Sequence, residues 1–206
     1  TQALIIDRVK FIQSIINNAK KSGATLKKQR LVTSSEVGKE YVKVSAKFGS
    51  KEEIYYSKLL IIASGFNSKF AKSLGFNLSK NYIYGYQTKI SNLNLDEVNV
   101  FTGSTLPKGH FGWLVPTTKN EGFCGILGKA KLKNNGKAFL LEMQKKYNFE
   151  IKEKTKVWGI PVKPVNKNYS RRCLLIGDVA GQVKPTTGGG IYLSLIHISE
   201  PTRPAI

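Results

Sequence analysis

Histidine and cysteine are scarce in this chain, which has two of each among 206 residues. His110 and His197 are too few for a histidine-rich metal site, and they argue against a Ser/His/Asp triad. Cys124 and Cys173 lie far apart, form no CxxC pair and are too few for a disulfide framework. The sequence therefore predicts a protein of a reduced, cytoplasmic setting that holds no metal ion.

Acidic residues are also few. The chain has 13 Asp and Glu and 33 Lys and Arg, which gives a net charge of +20. The lysines are scattered and are not interleaved with aromatic residues as in a single-strand groove, so no nucleic-acid partner is expected. The densest stretch, residues 129–156, holds nine Lys against three Glu. A solvated surface is the favoured interpretation, and a peripheral contact with an anionic membrane is the second.

Long hydrophobic runs are absent, and none approaches the roughly 20 residues that a membrane-spanning helix needs. The first residues, TQALIID, contain neither a starting Met nor the basic-then-apolar pattern of a signal peptide. Hydrophobic residues still make up 41% of the chain, which is enough for a core. We therefore expect the middle part of a larger globular protein.

Apolar periodicity predicts a helix that begins after Asp7 and ends before Gly23. Strands are predicted at residues 25–33, 41–48 and 54–62, with a hairpin turn at Gly49-Ser50. Further predicted strands, which indicate a second and mostly antiparallel sheet, lie at 82–90, 98–103, 112–115 and 122–127. A helix at 134–148 and an extended segment at 157–161 follow.

Two continuous apolar runs, residues 59–63 and 173–176, are typical of buried strands in a parallel sheet. The second run leads directly into GDVAGQVKPTTGGGIY, residues 177–192. It delivers Asp178 to a strand end, where α/β folds bind ligands and where a carboxylate can accept hydrogen bonds from a polyol. The triple glycine permits close backbone approach, and a helix starting there would direct N–H groups at an anion such as a reduced flavin.

The GDVAGQVKPTTGGGIY string closely resembles the second flavin motif of the geranylgeranyl reductase family, FAD-dependent oxidoreductases with the p-hydroxybenzoate hydroxylase-like fold. The resemblance extends from about residue 4 to residue 192. It implies that Asp178 binds the ribityl chain of FAD. It also implies that Gly190 and Ile191 offer backbone N–H groups to the flavin ring.

Two further segments of the chain resemble family segments that contact the cofactor. IDRVKF, residues 6–11, is similar to the family segment in which an arginine at a helix start touches the cofactor, which implies that Arg8 makes this contact. The segment at residues 31–33 is similar to the family stretch whose backbone lies beside the adenine, which implies that Val32 lies there. The segment 58–75 departs from the family pattern, with Ser64 in place of an acidic residue, and no role is carried onto it.

HFGWLVP, residues 110–116, resembles the YxWxFP substrate-site motif of the same family. Phe111 stands where the family has Tyr and Val115 where it has Phe, whereas Trp113 and Pro116 match. A long isoprenoid chain needs an apolar channel with aromatic walls. The resemblance therefore implies that Phe111 and Trp113 line the lipid channel. The ordinary alternative for both residues is packing within the sheet.

Both ends of the chain depart from the family pattern. The family's N-terminal GxGxxG unit, which holds the pyrophosphate, would precede Thr1. Residues 193–203 resemble the translation of a sequencing-library adapter, so 193–206 is predicted to be a non-native tail. We therefore expect the chain by itself to bind FAD weakly, to be inactive and to expose apolar surface around the strands 26–32 and 59–63.

The predicted fold is mixed α/β, with part of an FAD-binding Rossmann-like domain at 1–80 and 161–192. An antiparallel-sheet substrate domain at 81–160 is inserted between these parts. The resemblance implies an FAD-dependent reductase of isoprenoid C=C bonds, supplied with electrons by NAD(P)H or ferredoxin. One alternative is a flavin-dependent monooxygenase or halogenase of the same fold. The other is a basic, non-enzymatic protein that binds nucleic acid or a membrane surface.

Overall fold

The computed structural model describes residues 7–66, 68–103, 106, 108–129 and 132–183. Its first element is helix α1, Arg8–Lys21, and the side chain of Asp7 caps it by accepting hydrogen bonds from the backbone N–H groups of Val9 and Lys10. No residue of α1 is buried, and Val9 is 78% exposed. The predicted helix is confirmed, and its apolar side chains are left in contact with solvent.

A three-stranded antiparallel sheet follows, with the order β1-β2-β3. The strands are β1 (Leu31–Val37), β2 (Val42–Phe48) and β3 (Lys51–Ser57). The predicted hairpin turn is confirmed at Gly49, whose φ of +59° is the left-handed conformation that glycine adopts easily. The strand predicted at 25–33 begins only at Leu31, because the backbone at Gln29 turns left-handed with φ +58°.

The largest sheet has six strands in the order β10-β5-β8-β7-β6, with β9 paired to β5. Its strands are β5 (Tyr82–Ser91), β6 (Asn99–Phe101), β7 (Phe111–Pro116), β8 (Glu121–Gly128), β9 (Glu150–Ile151) and β10 (Lys156–Pro161). All of its pairings are antiparallel, as the sequence predicts. Helix α3, Leu132–Tyr147, packs Phe139, Leu140 and Met143 against one face of this sheet and forms the main core.

The third sheet joins distant parts of the chain in the order β11-β12-β4. It contains β4 (Leu60–Ile62), β11 (Tyr169–Ser170) and β12 (Cys173–Leu175), and β12 runs parallel to β4. A short helix α2, Lys69–Ser73, packs Ala71 into the same core as Ile62 and Leu175. Both apolar runs therefore contribute a strand to a parallel pair, as their pattern predicts.

Strand β4 departs from prediction in two ways. The predicted strand 54–62 is divided at residues 58–59, where the chain leaves β3 and joins β12. Arg172 stabilises this change of sheet, since its guanidinium donates to the carbonyl of Lys58 and its own carbonyl accepts from the N–H of Leu60. The strand is also buried on only one face, because Ile61 is 53% exposed whereas Ile62 is buried. This matches the expected exposed apolar surface.

The predicted boundaries at 1–80, 81–160 and 161–192 stay predictions. The tail at 193–206 lies outside the described residues. Among the described residues, no helix combines the length and the apolar character needed to span a membrane.

Candidate functional site

The parallel strands β4 and β12 end side by side at one edge of the third sheet. Leu175 pairs with Ile62, and the N–H of Ile176 donates to the carbonyl of Ile62 at 3.0 Å. The residues that follow the two strands, Ser64 after β4 and Asp178 after β12, therefore lie at the same edge. The side chain of Asp178 is exposed. Its carboxylate is therefore accessible to a ligand that donates hydrogen bonds to it.

A tight turn holds Asp178 at this edge. Gly177 and Gly181 both have left-handed φ values, +71° and +69°. The N–H of Gly177 donates to the side-chain Oε1 of Gln182 at 2.9 Å, and the N–H of Gln182 donates to the carbonyl of Gly177 at 3.1 Å. Because a Cβ at Gly181 would collide with the carbonyl oxygen of Lys163, the turn also lies tightly against the segment before β11.

The face of the six-stranded sheet that points away from α3 is aromatic. Phe111 and Trp113 alternate along β7, so both side chains lie on this face, with their ring centroids 5.7 Å apart. Trp158 of β10 lies on the same face, and all three pack around Ile83, Leu127 and Ile160. We call this surface the aromatic face.

Glycines provide the space for the two indole rings of the aromatic face. A Cβ at Gly125 would come within 2.5 Å of Trp113 Cζ2, and a Cβ at Gly85 would collide with the ring of Trp158. The indole of Trp113 lies across β8 at Gly125, and its Nε1 donates a hydrogen bond of 3.0 Å to Oε1 of Gln87 on β5. Each indole thus lies over a glycine of the sheet.

The Asp178 turn and the aromatic face are joined by Val183. This buried residue comes five positions after Asp178 and packs in the same cluster as Phe111, Trp113 and Trp158. Val162, directly after β10, packs there as well. The chain therefore passes from the polar edge of the third sheet onto the aromatic face of the six-stranded sheet within a few residues.

The remaining predicted cofactor residues are not brought to this place. Arg8 lies in the first turn of α1 and is exposed, and Val32 lies on β1 and is 40% exposed. Among the described residues, no hydrogen bond, ion pair or ring contact links either of them to the Asp178 turn. Gly190 and Ile191 lie outside the described residues.

Trp158, Gln87 and Gly125 are the residues of this site that sequence reasoning missed. The WGIP segment was predicted only as an extended strand. Trp158 joins Trp113 because β10 pairs with β5 in a register that sets Trp158 opposite Gly85. The frequent glycines of β5 and β8 are a signal of close ring packing, but the sequence alone does not say which ring lies on which glycine.

The two cysteines are buried thiols rather than nucleophiles. Burial raises the pKa of Cys124 to about 12, and it also raises the pKa of Cys173. Among residues 7–183, as far as they are described, no group of three or more His, Cys, Asp or Glu is arranged to hold a metal ion.

Two open clefts lie elsewhere, on either side of residues 75–80. One has a volume of about 340 Å³ and the other about 850 Å³. Neither is lined by Asp178 or Trp113. We place the candidate site at the aromatic face and the Asp178 turn, because the ends of the parallel strands and the aromatic cluster meet there.

Comparison with known proteins confirms the resemblance to the geranylgeranyl reductase family. The digeranylgeranylglycerophospholipid reductase of Methanocaldococcus jannaschii is 28% identical over 209 residues, which cover 94% of this chain and 52% of the relative. An uncharacterized protein of Methanosarcina barkeri is 32% identical over 203 residues, with 95% and 50% covered. The chain thus spans about half the length of the curated relatives it matches. No family model matches it.

Solved structures confirm the fold. A geranylgeranyl bacteriochlorophyll reductase-like protein from Thermoplasma acidophilum superimposes with a TM-score of 0.81 at 19% identity, covering 95% of this chain and 54% of that one. A flavin-dependent halogenase superimposes with a TM-score of 0.71 at 17% identity, covering 93% and 38%. At these identities the structures establish a shared mixed α/β fold, which is the predicted class.

Proposed function

We propose that this chain is part of an FAD-dependent oxidoreductase that reduces C=C bonds of a geranylgeranyl-type isoprenoid lipid. The observation that carries the proposal is the similarity to a digeranylgeranylglycerophospholipid reductase along 94% of the chain. The arrangement of the site supports it, since a polar strand edge suited to a cofactor lies next to an apolar, aromatic surface suited to a lipid.

FAD supplies the hydride chemistry when it is bound, and the protein binds and orients it. The exposed carboxylate of Asp178, at the end of β12, fits the hydroxyl groups of a ribityl chain as a hydrogen-bond acceptor. We assign to Gly190 and Ile191 the backbone N–H contacts with the flavin ring. Arg8 and Val32 are assigned to other portions of the cofactor.

The lipid is assigned to the aromatic face. Phe111 and Trp113 form its wall together with Trp158, and Ile83 and Leu127 lie beneath the rings. Burial of an isoprenoid chain against this surface is stabilised by the apolar area removed from water, at roughly 25 cal/mol per Å². The indole rings would also exclude water from the bound lipid.

The partners proposed for the whole protein follow from the reaction. Reduction of a C=C bond consumes two electrons, so a donor such as NAD(P)H or ferredoxin must resupply the flavin. We propose a cytoplasmic protein in peripheral contact with the membrane that holds its lipid substrate, and no nucleic-acid partner. The net charge of +20 supports attraction to an anionic lipid surface.

Mass spectrometry of the lipid product tests this function. The open reading frame that encodes the chain is expressed at its full genomic length and incubated with a digeranylgeranyl lipid and chemically reduced flavin. We expect two hydrogen atoms to be added for each bond reduced. An oxygenated or halogenated product would instead establish the monooxygenase or halogenase alternative. Salt-sensitive binding of nucleic acid without flavin absorbance would establish the non-enzymatic one.

A further inference from the structure

Gln87 lies between the two indole rings of the aromatic face. Across the sheet, Gln87 pairs with Gly125, over which the ring of Trp113 lies. Along β5, the next residue on the same face is Gly85, over which the ring of Trp158 lies. A half-buried carboxamide is therefore placed beside both indole rings, at the border between the aromatic face and the lysines of β5 and β10.

The two ends of this carboxamide have different surroundings. Oε1 accepts the hydrogen bond from Trp113 Nε1 at 3.0 Å. Nε2 carries two N–H donors, and no partner for them is found among the described residues. A carboxamide whose acceptor is occupied by an indole and whose donors remain available is arranged to bind an oxygen atom of a ligand.

Two lysines near Gln87 are less suited to that role. Lys89 follows it on the same face of β5, and its ammonium lies 2.9 Å from a carboxylate oxygen of Glu121. Lys156 pairs with Gln87 across the sheet, and its ammonium lies 3.1 Å from a carboxylate oxygen of Glu153. Both cations thus have anionic partners, which leaves the neutral amide as the donor suited to a neutral ligand.

We propose that Gln87 is a specificity-determining residue of the aromatic face, which fixes the ring of Trp113 through Oε1 and binds a ligand oxygen through Nε2. This inference rests on the proposed function and extends it, because it selects isoprenoids that carry an alcohol, ether or ester oxygen over plain hydrocarbons. A site built to hydrogen-bond an oxygen discriminates against the analogue that lacks it.

Two substitutions in the full 206-residue chain, held below the concentration at which light scattering detects aggregation, separate the two roles. Gln87→Glu keeps an acceptor for the indole but has no N–H donor, whereas Gln87→Met has a similar length and neither group. Both variants, the control and the parent chain used for comparison carry Trp158→Phe. Trp113 is then the single tryptophan, and its emission can be measured alone. Gln144→Met is the matched control, because Gln144 is a half-buried glutamine of α3, on the opposite side of the sheet.

The first readout is Trp113 emission and its quenching by acrylamide. We expect Gln87→Met to shift the emission and increase the quenching, because the ring loses its anchor, and Gln87→Glu and Gln144→Met to leave both unchanged. Emission from Gln87→Met identical to that of the parent would overturn the assignment of Gln87 to Trp113. This readout needs no ligand, so it does not depend on the proposed function.

The second readout is the binding of farnesyl methyl ether, whose oxygen can only accept a hydrogen bond, and of the hydrocarbon farnesene, followed by the same emission. We expect Gln87→Glu to weaken binding of the ether by about three- to tenfold, as for one neutral hydrogen bond, and to leave farnesene binding unchanged. Equal affinity of Gln87→Glu and the parent for the ether would overturn the ligand role. Failure of the parent to bind either compound would overturn that role together with the proposed lipid.

Discussion

The indole N–H of Trp113 reaches across one strand to the side chain of Gln87, two strands away, at 3.0 Å. Gly125 makes this contact geometrically feasible, since it lies on the strand between them and carries no Cβ. Any side chain at that position would occupy the space of the ring. The aromatic face therefore depends on a glycine as much as on its aromatic residues.

Gly125→Ala is expected to displace the ring of Trp113 and to lower the free energy of unfolding by about 1–3 kcal/mol, the usual cost of overpacking. Urea unfolding and tryptophan emission measure the two effects. Gly112→Ala is the matched control, because its Cβ would collide with Phe139 on the opposite face. The control should be destabilised by a similar amount without a change in the environment of Trp113. A shift of equal size in the tryptophan emission of both variants would contradict the assigned position of the Trp113 ring.

Asp178→Ala in the full-length protein is expected to weaken FAD binding by about 1.5–3 kcal/mol, because a hydrogen bond to a charged carboxylate is lost. The exposed position of Asp178 means that the fold should tolerate the change. Flavin content after gel filtration is the measurement, and Asp96→Ala, at another exposed aspartate, is the control. Flavin retained at the parental stoichiometry and affinity would remove Asp178 from the cofactor site.

Trp113→Ala is expected to impair lipid reduction more than flavin occupancy, because the ring lies on the aromatic face rather than at the Asp178 turn. Phe139→Ala serves for comparison, since Phe139 is buried on the α3 side of the sheet. That variant should lose both properties together, through a destabilisation of roughly 3–5 kcal/mol. Turnover and bound flavin are measured on the same samples. A parallel loss in Trp113→Ala would mean that the residue only supports the core.

The pH dependence of stability is expected to involve Glu53. Arg30 donates to both of its carboxylate oxygens, at 3.1 and 3.2 Å, and these bonds, with that from the Tyr55 hydroxyl, lower the pKa of Glu53 from 4.5 to about 2. A lowered pKa in the folded state means that this contribution is fully present above about pH 4.5 and is lost as the pH falls towards 2. Acid titration followed by circular dichroism detects the loss.

Arg30→Gln should flatten this part of the pH profile, because the main cause of the lowered pKa is removed. Lys43→Gln is the control, since its ion pair at 3.3 Å involves the exposed Glu36 instead. If both variants keep the slope of the parent between pH 4.5 and 2, the Arg30–Glu53 pair does not govern the acid response of the first sheet.

The 206-residue chain by itself is expected to bind FAD more weakly than micromolar and to aggregate. It contains no GxGxxG turn for a pyrophosphate, and apolar residues of α1, β1 and β4 are exposed, among them Val9 at 78% and Leu31 at 69%. FAD titration by fluorescence quenching and light scattering are the measurements. Tight one-to-one binding by a monodisperse sample would show that the site at Asp178 suffices for the cofactor.

Local patterns predicted most of the elements. Alternation of apolar residues located β2, β5, β7 and β8 to within one or two residues, and the capping aspartate located the start of α1. The short elements α2, β9 and β11 were missed, because two to five residues carry too little periodicity to stand out. The late start of β1 was missed because a left-handed residue leaves no pattern.

The sequence by itself determined that Asp178 follows a buried strand and that Phe111 and Trp113 share one face of β7, since both statements depend only on neighbouring residues. The tertiary structure alone decided that Gln87, Gly125 and Trp158 join them, because those contacts depend on the register between strands that are distant in the chain. A slip of one residue would turn each side chain to the opposite face. Burial of the α3 face selects the register, and the aromatic face follows from it.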